Sequence, residues 1–537
     1  MKLKWIDRLG DLNPQLMREI QEIRISHLLI ATIVSLLGQF LLIIFFQSQL
    51  PLDFDPTIPI INKYCLTNSY CLRDSVGFFV IHWQLWWANL FTILSILGVL
   101  ILLVGGVYLL VYNLANEQRR GTLNFIRLSP QPPQIILSGK LLGVPSLLFL
   151  VAILAIPLHL YAGLSAEISL FLILEFYIFL LAGCFFFYST AILFGLVSSS
   201  CGFAPWLASG AVLLFLLTTH YSVTGTLVDW LFLFSPMQII SYLIKATHLN
   251  LNYIDEGLLL PTSLYSRHWY NVLLGANAAN LVMSALLNYS LCSYWIWQAI
   301  KRCYSHPQKT LLNKQQSYLL LVFFETVIIG FTVVKGIVPA WKEGMIYHYR
   351  FLLMFNWVMF LALILFLKPS RQGIQSDARY HHGEQPIQNL VWSSVLSVIV
   401  VNLAIASIFL VSWILFSLEA SEKIPALFSL LICYNFILFC AVITQIITLR
   451  IVQKPALWIT GVFAIVTILP VIVLNLLARN SSDNSLLWLF TPYAWVVTQS
   501  TSQVSIWLVI VMQWSILGLC TLQLMHDIKK IGESASK

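Results

Sequence analysis

Few residues of this chain are equipped for chemistry, and several of them sit where a charge is costly. Glu175 and Glu325 interrupt long apolar runs. A carboxylate inside a bilayer is expensive enough to mark a substrate pathway or a proton relay. Each also lies near one end of its run, so a carboxylate that snorkels or is hydrogen-bonded internally accounts for it as well. His159 stands near the end of another run and reads as an interfacial histidine rather than a metal ligand. The adjacent pair His381-His382 has no companion ligands in its polar loop and reads as solvated. Asp53, Asp55 and Asp74 share one long polar loop but form no compact constellation of the kind a membrane-embedded transferase would need. Cys65 and Cys71 lie in that same loop, where an oxidising exterior would permit a disulfide. The other seven of the nine cysteines read as apolar filler. No G-x(4)-G-K-[ST] phosphate loop occurs, and the Leu137–Lys140 stretch (LSGK) is only superficially like an ATPase signature.

The elements that must position these residues are membrane spans. The 537 residues are 59% hydrophobic and 10% charged, with a mean hydropathy of +0.84, whereas a soluble domain carries about 25% charged residues. The net charge of +8 is spread over short loops, so it reads as membrane orientation rather than as a nucleic-acid surface. Continuously apolar runs, helical rather than alternating, lie near 27–46, 85–112, 141–162, 168–197, 204–222 and 269–299. A second set lies near 317–338, 350–368, 393–417, 425–449, 455–477 and 503–525. The expectation is an all-α polytopic membrane protein with about twelve transmembrane helices in two six-helix repeats of parallel topology.

Twelve spans put both termini on one side. The larger share of the basic residues falls on that side, including Lys2, Arg18, Arg24, Arg119, Arg120, Lys301 and Lys530, which predicts cytoplasmic termini in the cell membrane. The domains expected are a surface-helix region over 1–26, a first six-span unit over 27–300 and a linker over 301–317. A second unit over 318–526 and a tail over 527–537 complete the chain. The polar stretch ahead of the first span argues against a cleavable signal peptide.

Asn13-Pro14 is a helix start, an N-cap followed by proline at the first helical position. Leu16, Met17, Ile20 and Ile23 would share one face, suited to the cytoplasmic membrane surface, while Arg18, Glu19 and Glu22 point elsewhere. An ordinary extension of the first span is the alternative. The two halves also share a segment, Leu231–Pro236 (LFLFSP) and Leu487–Pro492 (LWLFTP), each before the last span of its set. Apolar residues broken centrally by proline suit a short helical hairpin dipping into the membrane. Their equivalent places point to a duplication.

The segment from Asn116 to Gly143 (NEQRRGTLNFIRLSPQPPQIILSGKLLG) is too long for a simple turn between spans. Asn116 could cap a helix beginning at Glu117, Ser129 to Pro133 must end it, and a second helix restarts at Gln134 and runs into the third span. The result is a helix-break-helix elbow. Glu117, Gly121-Thr122-Leu123, Ser129-Pro130 and Gly139-Lys140, in that order, resemble the cytoplasmic loop of type-2 ATP-binding-cassette transporter permeases. The six-span unit, the surface helix and the re-entrant hairpin are also similar to that family, over about 13–299. The second-half loop, Pro369–Trp392, departs from the pattern. It is either degenerate or fitted to a different ATPase surface.

The resemblance implies an exporter permease that works by alternating access. Its elbow would dock on a separate ATPase subunit, expected in two copies, which carries the ATP and magnesium; this chain would hold no cofactor and no catalytic residue. Glu117 would start the helix and make a polar contact, Gly121 would allow close approach, Ser129-Pro130 would bend the elbow, and Lys140 would anchor at the ATPase interface. No nucleic acid is expected as a partner, and membrane lipids are. The rivals are a membrane-embedded enzyme acting on lipid-linked substrates and an ion-driven secondary transporter.

Overall fold

Hydrocarbon offers no partner for a backbone N–H or C=O, so a membrane chain satisfies them within helices. The computed structural model follows that constraint. It describes residues 13–51, 62–66, 71–75, 78–198, 202–219, 227–245, 247, 268–270, 272–306, 309–332, 344–368, 395–451, 455–478 and 482–534. Asp53, Asp55, His381, His382 and the loop Pro369–Trp392 lie outside them. Among the described residues, ten helices are long and apolar enough to cross a membrane, so the chain is an all-α multi-pass membrane protein. The chain divides into two compact units: the first runs to Ser305, and the second comprises His306–Lys537 together with the short segments Gly225–Leu227 and Trp269–Asn271.

The first unit begins with α1 (Pro14–Gln21), α2 (Ile25–Ser48) and α3 (Trp83–Arg119). The elbow helices α4 (Thr122–Arg127) and α5 (Pro133–Gly143) come next. They lead to α6 (Ser146–Ser165), α7 (Leu170–Ser198) and α8 (Ala204–Thr218). A broken segment contains α9 (Val228–Phe232), a 3₁₀ turn at Pro236–Ile239 and α10 (Ile240–Lys245). The unit closes with α11 (Ala278–Ser305). Helix α3 packs on α6 and α7, α2 on α6, α8 on α3, and α7 on α11.

The second unit contains α12 (Lys314–Thr332), α13 (Gly344–Leu367), α14 (Val395–Ser417), α15 (Ala420–Arg450) and α16 (Pro455–Ala478). Two 3₁₀ segments, Ser482–Phe490 and Ala494–Val496, precede α17 (Gln503–Ser534). Here α12 packs on α14, α13 on α14 and α15, and α15 on α17.

Several sequence boundaries move. Helix α1 is separate from α2, because Arg24 is extended between them, so it is not an extension of the first span. The expected span at 204–222 is a 15-residue helix, about 22 Å long. The expected span at 269–299 begins at Ala278, and its polar residues keep α11 out of the ten. Because α11 runs to Ser305 and α12 starts at Lys314, the expected linker 301–317 shrinks to the residues between them.

Helix α3 carries one irregularity. A π-turn lies at Ile101–Gly105, and its Leu102 carbonyl accepts both the Gly106 N–H and, at 2.8 Å, the Tyr188 hydroxyl from α7. Gly106 lets that ring approach, since a Cβ there would overlap the Tyr188 ring. Gly106→Val is expected to destabilise the protein by about 1–3 kcal/mol through overpacking, and Tyr188→Phe by about 0.5–1.5 kcal/mol through the lost hydrogen bond. Thermal unfolding in detergent checks both, and changes under about 0.5 kcal/mol in both would contradict the assignment.

Candidate functional site

The elbow is built on the end of α3, and its first break is not where the sequence suggests. Asn116 and Glu117 remain inside α3, which runs unbroken to Arg119, so Asn116 caps nothing and Glu117 starts no helix. The break comes at Gly121, whose φ of 73° is left-handed, the conformation glycine adopts without steric cost. The Thr122 hydroxyl then donates to the Glu117 carbonyl at 3.1 Å and ties the new turn to the old helix.

Helix α4 is short and two-faced. Leu123 and Ile126 are buried beneath it, whereas Phe125 is 80% and Leu128 83% exposed. Arg127 lies over the Tyr304 ring, 5.5 Å from its centroid, and this contact braces α4 against the end of α11. The Ser129 hydroxyl accepts the Gln131 N–H at 3.4 Å as the chain turns. Pro130 is exposed at that turn, and α5 starts at Pro133 rather than Gln134.

Beneath the elbow lies a buried ionic cluster. Lys140 on α5 has no solvent exposure, and its Nζ donates to Glu117 Oε1 at 2.7 Å, to Glu19 Oε1 at 3.0 Å and to Asn113 Oδ1 at 3.0 Å. Arg18 adds a bond to Glu117 at 2.8 Å, and Gln15 donates to Glu19 at 2.6 Å. Two cations, Lys140 and Arg18, thus meet two carboxylates, Glu19 and Glu117. An ammonium removed from water needs such a surround, since its desolvation costs several kcal/mol. Lys140 therefore cannot anchor an external partner: it is a post that joins α1, α3 and α5.

Asn13 completes the joint. Its Oδ1 caps α1 by accepting the Leu16 N–H at 3.0 Å, and its Nδ2 donates to the Ile135 carbonyl at 2.8 Å. Glycine makes this close packing feasible. A Cβ at Gly139 would stand 2.5 Å from Asn13 Oδ1, and one at Gly143 would stand 2.6 Å from Glu19 Cβ. Helix α1 consequently turns its polar face inward, with Gln15 and Glu19 buried, and leaves Ile20 exposed.

The remaining sequence candidates fall elsewhere. Glu175 is buried in the second turn of α7 with Oε2 unpartnered, and Glu325 is fully buried in the middle of α12. Neither reaches the solvent as a snorkelling side chain would. Cys65 and Cys71 are joined in a disulfide, in a loop tied to the start of α3 by the His82 N–H donating to the Tyr64 carbonyl at 2.7 Å. That places it at the end of α3 opposite the elbow. His159 is not interfacial. It is buried between Ser95 and Tyr177, with 2.8 Å to each, and stacks on Phe91.

Sequence reasoning missed Glu19 and Asn113 as partners of Lys140, and Arg18 as a partner of Glu117. Glu117 and Lys140 lie on different helices, and Glu19 is 121 positions from Lys140, so no local spacing signals the cluster.

Lys140→Met should leave two buried carboxylates facing one another and cost about 3–5 kcal/mol. Adding Glu117→Gln should recover a measurable part, since the pair is coupled. Thermal unfolding of the four members of the cycle in detergent tests this, and additive costs would contradict the cluster. Comparison of the chain with family models, with curated proteins and with solved structures gives no match, so the site is read from its own geometry.

Proposed function

We propose that the chain is the membrane-spanning permease of a type-2 ATP-binding-cassette transporter, acting as an exporter in the cell membrane. ATP hydrolysis takes place on a separate subunit, expected in two copies, and the elbow receives its movement. The observation that carries this reading is the elbow tip. Phe125 and Leu128 point outward from a short helix whose other face is buried and whose root is fixed by the Lys140 cluster. Apolar side chains so exposed, flanked by the exposed Arg119 and Arg120, suit a protein contact. Gly121 and Ser129-Pro130 then serve as the bends that present this surface.

Two repeats of six spans complete the proposal, with α8 and α11 as the fifth and sixth spans of the first. Its support is the matching pattern of neighbours. In each unit the first helix packs on the third, the second on the third and fourth, and the fourth on the sixth. In each unit a proline-broken segment precedes the last helix, at Pro236 and at Pro492. Both termini and the elbow then lie on the cytoplasmic side, and the Cys65–Cys71 disulfide on the outside. Helix α1 lies in the membrane surface, with its exposed Ile20 toward lipid. An ion-driven transporter is the second reading, and the buried Glu325 favours it.

The test is affinity purification of the tagged chain from native membranes, for the wild type and for Phe125→Asp plus Leu128→Asp. Both residues are exposed, so the variant keeps its fold. The wild type should retain a cassette ATPase, and the variant should lose it by tenfold or more. Equal retention by a well-folded variant would contradict docking at α4. Absence of any ATPase from both would contradict the transporter assignment.

A further inference from the structure

Buried polar atoms in a membrane bundle find partners, so an acid without one needs an explanation. Glu325 sits in the middle of α12 with no solvent exposure, and neither carboxylate oxygen has a hydrogen-bond donor. It lies beside Asn356 of α13, which is also fully buried and whose Nδ2 donates to the Leu352 carbonyl at 3.1 Å. A carboxylate with no donor in a low-dielectric interior is costly, and a bound proton removes its charge.

Among the described residues, none forms an ion pair or hydrogen bond with Glu325. Tyr434 of α15 lies near the carboxyl group, and Ser407 of α14 beside Tyr434. The residues of α14 include no ionisable side chain. Tyr270, packed on α12, spends its hydroxyl on the Thr326 carbonyl at 3.1 Å. His348 and Arg350 of α13 each make interactions of their own.

We propose that Glu325 is a proton-binding site of the second unit, holding its proton in the folded protein. One proton bound converts the carboxylate to a neutral acid; its release leaves a buried anion with no hydrogen-bond partner. The second unit is thereby linked to proton binding, whichever of the two transport readings holds.

The test is infrared difference spectroscopy of the full chain in lipid at neutral pH, wild type minus Glu325→Gln. A protonated-carboxyl C=O band present in the wild type and missing from the variant is expected. Loss of carboxylate bands instead would overturn the proposal, and dependence of those bands on sodium would assign the site to a metal cation. Should Glu325→Gln not fold, Glu325→Asp serves in its place: the C=O band should shift in frequency with the changed acid, and an unmoved band would overturn the proposal. Unfolding from mildly acidic to neutral pH gives an independent readout. The unfolding constant of the wild type should rise up to tenfold per pH unit relative to Glu325→Gln, because the unfolded acid ionises first, and level off once the folded acid also ionises. A ratio that stays flat from about pH 5 to neutral pH would contradict proton binding.

Discussion

An ammonium group with no access to water holds the start of this fold together. Lys140 is tolerable where it lies only because Glu117 and Glu19 are both within 3.0 Å and Asn113 fills its third donor direction. Glu19 comes from α1, and Glu117 and Asn113 from α3, so satisfying one charge on α5 fixes three elements at once. Helix α1 is held onto α5, α5 onto α3, and the elbow between them inherits its position. The glycines at 139 and 143 permit the approach, because side chains there would occupy the volume of Asn13 and Glu19.

This arrangement separates two tasks that the sequence blends. The charged residues of the elbow region work inward, as a brace, and the apolar tip residues Phe125 and Leu128 work outward. A rigid root beneath an exposed tip is a sound shape for transmitting a push, since a tip on a loose loop would absorb the motion instead. The proposed coupling to an ATPase depends on that rigidity more than on any single contact at the tip.

Much of the fold was legible because a membrane span announces itself by length and apolarity. Every apolar run read from the sequence corresponds to a helix, although α8 and α11 fall outside the ten that are long and apolar enough to cross. The bends were legible in Gly121 and in the Ser129–Pro133 stretch, whose backbone preferences act locally. What was not legible is what acts at a distance. The spacing of Leu16, Met17 and Ile20 gave α1 an apolar face, but nothing local disclosed that its polar face, Gln15 and Glu19, would be buried on α5. Asn116 has the right type for an N-cap, yet α3 simply continues past it, because packing of Leu114 and Ala115 outweighs a capping preference. Glu325 stood out in the sequence as a costly acid, while its complete burial without a hydrogen-bond donor is set by the packing of other helices around it.

The central claim is that the tip of α4 meets a cassette ATPase. Its most direct test is a photo-crosslinking amino acid placed at Phe125 of the tagged chain and irradiated in native membranes. The account predicts a crosslinked product whose second chain is a cassette ATPase, formed at Phe125 and missing when the probe stands at the buried Leu123. A product at Phe125 containing only lipid, or only a protein that binds no ATP, would contradict it.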